Sequence, residues 1–335
     1  MNANRLRIQL FLGLALSAFL LWLSLRSLDP REIGGALARA NWLWFVPICL
    51  LTLVSFWVRA VRWGWILRGI KPIPVRRLFA ATMIGFTANN LLPARLGEVV
   101  RPWALGKSEK ISRASAFATI IVERVVDMFC ILLLFAVALA LHPFPRLVQD
   151  AGLAALGVNL ALLAVLLAIE RSPAQAERVS AWVERRAPAK IAPKLASLLR
   201  NFSGGLGVFR SGMGLFWVTV HSAIMYTVTA IGLLGCMWAF DMTVPWYAGI
   251  VMLVITAFGM MIAPTPGYLG AIQYACVLGL SLFGIDRAIG FSFSLYYHLT
   301  QFLPITVVGL IYLGRAGMSL GQVATASREG VGTSV

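Results

Sequence analysis

The chain has 335 residues, 59% of them hydrophobic and 13% charged, with 29 lysines and arginines against 13 acids and a formal charge of +16. Its mean hydropathy of +0.82 exceeds what a water-soluble core of this length needs, and the apolar residues come in helix-length blocks rather than in the short alternating strands of an outer-membrane barrel. A soluble globular domain and a β-barrel are excluded, and the membrane spans are expected to be helices.

The block IQLFLGLALSAFLLWLSL at 8–25 follows Arg5 and Arg7 and could pass for a secretory signal. No small-x-small cleavage site follows and RSLDPREIGG comes next, so a retained signal-anchor helix is expected. A second span is predicted at 42–58, leading to Arg59, Arg62, Arg68, Lys71, Arg76 and Arg77. The positive-inside rule makes that stretch a cytoplasmic loop and puts the N-terminus in the cytoplasm as well. The aromatics of FWVRAVRWGW at 56–65 are read as interfacial anchors.

The next apolar stretch, LFAATMIGFTANNLLPA at 78–94, is short, holds two asparagines and reaches Pro93, whose missing N–H and ring break a helix. Both its flanks are basic, which one crossing cannot satisfy. A re-entrant or broken helix is predicted, tolerated at membrane depth only against protein or a watery cavity. ASAFATIIV at 114–122 is a candidate returning partner. Spans are expected at 125–142 and 151–169, joined by an outer turn that begins at His142. The 171–213 stretch carries Arg171, Arg178, Arg185, Arg186, Lys190, Lys194, Arg200 and Arg210 and reads as a basic cytoplasmic loop that either recruits anionic lipid or anchors itself to it. A span at 214–239 holds a packed His221; DMTVPW is an outer turn; a return at 246–262, an interruption APTPGYLGAIQ at 263–273 and a last span at 288–313 complete the chain. The four cysteines fall inside apolar blocks, without metal-ligand spacing or a disulfide pattern, and read as packing residues. The expected fold is an all-α polytopic transmembrane helical bundle of about six to eight spans, occupying 1–315, with a flexible polar tail at 316–335.

The two interruptions share the pattern P-x-x-L-G-x-[VI]: Pro93 to Val99, and Pro266 to Ile272. Gly/Pro-interrupted segments in corresponding places of two halves point to a transporter's midplane site built from half-helix ends. An internal inverted repeat and a chance match both remain open. Pro93, Gly97, Pro266, Gly267 and Gly270 are the residues expected to shape the breaks.

Charge then locates a site. Exposed to lipid, Arg95, Glu98, Arg101, Glu123, Arg124 and Asp127 would together cost on the order of 15 kcal/mol. Glu98 and Arg101 stand three apart and Glu123 and Asp127 four apart, so each pair shares a helix face, and the two faces can meet around a polar cavity. The planar fork of arginine and the free N–H groups at a helix start suit phosphate oxygens. A phosphate-bearing lipid headgroup is the natural ligand. The plainer reading makes the same charges solvated helix ends that only fix topology; it is the one adopted for Lys107, Glu109, Lys110 and Arg113. The basic charge is spread over loops and no nucleic-acid motif is present, so anionic phospholipid or another polar-headed membrane lipid is the expected partner and nucleic acid is not.

NNLLPARLGEVVRPWAL, ATIIVERVVDMF and PTPGYLGAIQ, in that order, resemble the flippase-like membrane domain of the lysylphosphatidylglycerol synthase family, which includes stand-alone bacterial members and members associated with hopanoid lipid loci. The resemblance covers nearly the whole chain. It implies movement of a polar-headed lipid between leaflets of the bacterial inner (plasma) membrane, with no cofactor and no catalytic residue, and with lipid-biosynthesis enzymes as candidate partners. It marks Asn90, Pro93, Gly97, Glu98, Arg101, Glu123, Arg124, Asp127, Pro266, Gly267 and Gly270. Tyr268 and Gln273 replace a glycine and an acid of the family's pattern, and His298 stands where arginine is common, so a cationic aminoacyl lipid is not implied as cargo. Gln273 and His298 are carried as binding candidates together with Asn90 and Arg95. No Walker motif is present, so active pumping would need an ion gradient or a partner. A membrane-embedded lipid-modifying transferase and a non-transporting scaffold are the rival readings.

Overall fold

The computed structural model describes residues 3–26, 28–92, 97–144, 146–171, 211–262 and 265–322, together with Arg178, Ala181, Trp182, Arg185, Arg186 and Val208. Among the described residues every regular element is helical. The protein is an all-α polytopic membrane bundle. Pro93, Arg95 and most of the basic 171–213 stretch, with Lys190, Lys194, Arg200 and Arg210, lie outside the described residues.

Helix α1 (Ala3–Leu25) is followed by α2 (Pro30–Arg39), and the two axes differ by 85°. Asp29 caps α2 by accepting from Arg31 N, and Pro30 opens its first turn, a combination preset for helix entry. A 3-10 turn (Trp42–Trp44) leads into α3 (Phe45–Leu67). Here the sequence expectation needs correction: the helix runs past residue 58 to Leu67, so Arg59 and Arg62 belong to the span and not to a loop. Trp63 is fully buried, and Phe56 packs edge-on against Phe86 at 4.7 Å, so these two aromatics are core residues rather than interfacial anchors.

Helices α4 (Val75–Leu91) and α5 (Gly97–Glu109) have 17 and 13 residues, each short of the ~20 needed to cross the apolar layer. They fold back on one another as an antiparallel hairpin, with Gly85 against Arg101 and Arg77 against Glu109. The returning partner of α4 is therefore α5. Residues 114–122 instead form the first turns of α6 (Arg113–Leu141), one continuous helix of 29 residues. Helix α7 (Arg146–Arg171) packs on α6.

The second half has α8 (Gly212–Ala239), a second hairpin of α9 (Ala248–Ile262) and α10 (Ala271–Ser281), and α11 (Arg287–Arg315). In this hairpin a Cβ on Gly259 would stand 2.7 Å from Ala275 Cβ. Among the described residues four elements are long and apolar enough to span: Trp42–Leu67, Arg113–Leu141, Gly212–Ala239 and Arg287–Arg315; the bent α1–α2 pair counts as a fifth, and Val148–Ala164 and Ala248–Met261 are shorter apolar helices.

The hairpins open toward opposite ends of the bundle. The base of α4–α5 lies by the C-terminus of α3, where Lys71 and Arg77 reach Glu109. The base of α9–α10 lies by the C-terminus of α6, where the His142 ring meets Tyr247 and Phe283. Between them the 3-10 turn Pro266–Tyr268 packs on α4 and α1: a Cβ on Gly267 would stand 3.2 Å from Asn90 O, and Ser17 Oγ donates to Leu269 O at 2.7 Å.

Of the expected tail, Met318 and Leu320 pack on an apolar cluster around Ile84, Val100 and Leu313. His221 is held within α8 by a 2.6 Å hydrogen bond between Nδ1 and Trp217 O.

Candidate functional site

Gly97 begins α5 because its N–H is met by Asn89 Oδ1 at 2.8 Å and because any side chain there would collide with the Gly85 carbonyl. That close approach sets Arg101, one turn into α5, against α4 and α6. Arg101 is 2% exposed, its Nη1 donates to Glu123 Oε1 at 2.9 Å, and its guanidinium carbon lies 3.9 Å above the centre of the Trp63 ring. The tryptophan is itself fixed, since Nε1–H donates to Thr119 Oγ1 of α6 at 2.9 Å.

Glu123, Arg124 and Asp127 project from α6 toward α3 and α5. Arg59 Nη1 contacts Glu123 Oε1 at 3.0 Å and Asp127 Oδ2 at 3.1 Å; Arg62 Nη2 contacts Asp127 Oδ1 at 2.6 Å and Glu123 Oε1 at 3.6 Å. Arg124 Nη2 lies 3.1 Å from Glu123 Oε1 and 3.2 Å from Asp127 Oδ2. Helix α8 closes the cluster: Tyr226 donates its hydroxyl hydrogen to Asp127 Oδ1 at 3.1 Å, and Arg62 Nη1 donates to Ser222 Oγ at 3.0 Å. Arg62 and Glu123 side chains are fully buried, while Arg59 is 15% and Arg124 41% exposed. The site is thus closed around Arg62, Arg101 and Glu123 and most open at Arg124.

Among the described residues in direct contact, four guanidiniums meet two carboxylates, an excess of two positive charges that Glu98, farther off, offsets in part. Several donors and one acceptor in it are buried without a hydrogen-bond partner among the described residues: Arg62 Nε and Nη2 (the latter in ion-pair contact with Asp127), Arg101 Nε and Nη2, Arg124 Nε and Glu123 Oε2. Buried polar groups are costly to leave unpaired, so these atoms are suited to taking up water or the oxygens of an anion.

The structure brings Arg101, Glu123, Arg124 and Asp127 together, as the sequence suggests. Glu98, in the first turn of α5, is half-buried and close enough for its charge to act on Arg124, yet no described cation stands within salt-bridge distance of it. Asn90 is engaged elsewhere, its Nδ2–H donating to Thr306 Oγ1 of α11 at 3.0 Å. Gln273 and His298, both buried, form a separate pair: Gln273 Oε1 accepts from Gly270 N at 2.7 Å, which leaves its amide hydrogens for His298 Nδ1 at 3.0 Å. Gly267 and Gly270 have φ of 58° and 82°, left-handed values that glycine adopts without a steric penalty. Glu109, read from sequence as solvated, is buried, with Arg77 Nη1 at 2.7 Å and Lys71 Nζ at 3.5 Å from its carboxylate. It ties the loop before α4 to the end of α5.

Arg59, Arg62, Tyr226 and Ser222 are site residues that sequence reasoning missed. A signal was present: Thr52, Ser55, Arg59 and Arg62 recur at three- and four-residue spacing, one face of a helix that continues beyond residue 58.

No solved structure matches the chain. Two proteins of Methanothermobacter thermautotrophicus, each described as a UPF0104 membrane protein, are both 23% identical to it, one over 88% of this chain and 92% of its own length, the other over 90% and 92%. A protein named glycosyltransferase AglD, from Haloferax volcanii, is 32% identical over 37% of this chain and 20% of its own length. The family described as the lysylphosphatidylglycerol synthase TM region matches residues 10–309. With nine-tenths of its length inside that match, the chain belongs to the lysylphosphatidylglycerol synthase transmembrane-region family.

Proposed function

We propose that this protein binds the phosphate-bearing headgroup of a membrane lipid at the arginine cluster and carries it between leaflets of the bacterial inner membrane, without catalysing a reaction. The observation that carries the reading is the excess of two guanidinium charges over the carboxylates they contact, in a cluster held between two membrane-crossing helices, α3 and α6, and the short helix α5. Helices with such charges facing lipid would be strongly disfavoured, and an anion that fills the unpaired donors relieves both the charge excess and the unmet hydrogen bonds. Two hairpins that open toward opposite ends and meet at Asn90 and Gly267 supply the broken-helix arrangement on which alternating access is built in other carriers. Membership of the family supports a lipid-related role.

The experiment is lipid mass spectrometry on protein purified gently from native membranes, wild type beside Arg101→Ala. One lipid class enriched in the wild type and lost in the variant is the expected result, and that lipid is then tested for leaflet exchange. The same bulk lipid in both preparations overturns the reading.

A second reading, a membrane-embedded transferase, draws on the relative named a glycosyltransferase. A general base needs a carboxylate free to accept a proton, whereas Glu123 and Asp127 each touch at least three guanidiniums. Turnover of a lipid with a donor substrate in detergent would favour this reading over the carrier.

A further inference from the structure

Glu123 uses one oxygen for four cations. Oε1 lies 3.0 Å from Arg59 Nη1, 3.6 Å from Arg62 Nη2, 2.9 Å from Arg101 Nη1 and 3.1 Å from Arg124 Nη2. Oε2 is buried and has no hydrogen-bond partner among the described residues. Asp127 behaves differently, dividing its partners between its oxygens: Arg62 and Tyr226 on Oδ1, Arg59 and Arg124 on Oδ2. A carboxylate that serves to hold arginines spreads over both oxygens in this second manner. A single oxygen drawing guanidiniums from α3, α5 and α6 instead marks the centre of an anion cage. Arg62 Nε is also unpartnered, but Arg62 Nη2 lies against Asp127; the donors left over on the other two arginines, Arg101 Nε and Nη2 and Arg124 Nε, suit further oxygens that phosphate has and a carboxylate lacks.

We infer that Glu123 is a resident counter-anion, which occupies the cage when no ligand is bound and is displaced by a phosphate group, lipid-linked or free. The inference rests on the headgroup reading above and adds competition to it. Arginines alone would leave uncompensated charge inside the membrane whenever the ligand departed. An internal carboxylate that returns to the cage keeps the empty protein folded and speeds release. Asp127 is the fixed partner, tied to Arg62 and Tyr226; Glu123 is the exchangeable one.

The test compares wild type, Arg101→Ala, Glu123→Gln and Glu123→Asp in nanodiscs of zwitterionic lipid carrying a trace of fluorescent phosphatidate, with inorganic phosphate as competitor. Removing the competing charge is expected to tighten phosphatidate binding about tenfold in Glu123→Gln and to slow its exchange. Glu123→Asp, which keeps the charge but draws it back from the cage by one methylene, is expected to fall between that variant and wild type, and it carries the test should the glutamine variant fail to fold. Competition by inorganic phosphate assigns the cage to the phosphate group of either source; its failure restricts the displacement to lipid. Unchanged or weaker binding in the folded Glu123 variants, beside a wild type that binds, overturns the counter-anion role alone. A wild type that holds no more phosphatidate than Arg101→Ala overturns the headgroup reading itself.

Discussion

Arg62 is the most enclosed arginine of the cluster, with a side chain that no solvent reaches and Asp127 Oδ1 at 2.6 Å. Removing one partner of such a pair leaves the other buried and uncompensated, which costs far more than the pair contributes. Asp127→Asn is therefore expected to destabilise the protein by about 3–5 kcal/mol, read as a lowered thermal midpoint in detergent. Tyr226→Phe removes one hydrogen bond to the same carboxylate and is expected to cost about 1–2 kcal/mol. Equal losses for the two would mean that Asp127 is not the anchor of Arg62. At this scale the sequence was legible in part. Arg101, Glu123, Arg124 and Asp127 announce themselves as charges amid apolar residues. Arg59 and Arg62 do not, because they stand near the end of a span, where arginine is ordinary under the positive-inside rule. What places them inside is the reach of α3 to Leu67, and helix ends are the least readable feature of a sequence.

The α4–α5 hairpin depends on a backbone contact where glycine has no substitute. A methyl group on Gly97 would collide with the Gly85 carbonyl, whereas one on Gly157 of α7 would meet nothing within 4 Å. Gly97→Ala is expected to lower stability by at least about 2 kcal/mol. Gly157→Ala is expected to raise it by up to about 1 kcal/mol, because alanine is the better helix former. Paired thermal unfolding of the two variants decides it, and similar midpoints would deny the close approach of α4 and α5. The glycines at the breaks do corresponding work. Gly97 N donates to the side-chain amide oxygen of Asn89, and Gly270 N to that of Gln273, so each short helix starts with one orphan N–H already met. The shared P-x-x-L-G-x-[VI] pattern foretold the two breaks but not the partner of the first: α5 carries Glu98, Arg101 and Pro102, and its polarity hides it from any search for apolar runs. Helix α2 is signalled by its Asp29-Pro30 start, but its 10 residues have the length of a loop rather than of a span.

Across the whole molecule, the base of α4–α5 and the base of α9–α10 lie at opposite ends of the bundle. Single cysteines at Lys107 and Ser281, introduced after the four native cysteines are replaced, are expected to react with an impermeant maleimide from opposite sides of right-side-out and inverted vesicles. Under the positive-inside reading, Lys107→Cys reacts from the cytoplasm. Labelling of both from one side would rule out hairpins of opposed entry. The all-helical bundle itself follows from composition alone, since no other spanning architecture accepts such long apolar blocks. The meeting of Asn90 with Gly267 does not, because it joins residues far apart in the chain through a backbone approach that no local pattern encodes.

The surplus of guanidinium in the arginine cluster has an electrical consequence. A fixed charge inside a bilayer feels the transmembrane potential at about 2.3 kcal/mol per elementary charge for each 100 mV it traverses. On the proposed carrier reading, a cluster with two more guanidiniums than contacting carboxylates is pulled by that potential when empty, and a doubly ionised phosphate cancels the pull on arrival. Membrane voltage would then drive the return of the unloaded protein and leave the loaded one almost untouched, so that the cell's potential sets the pace of the cycle without acting on the cargo.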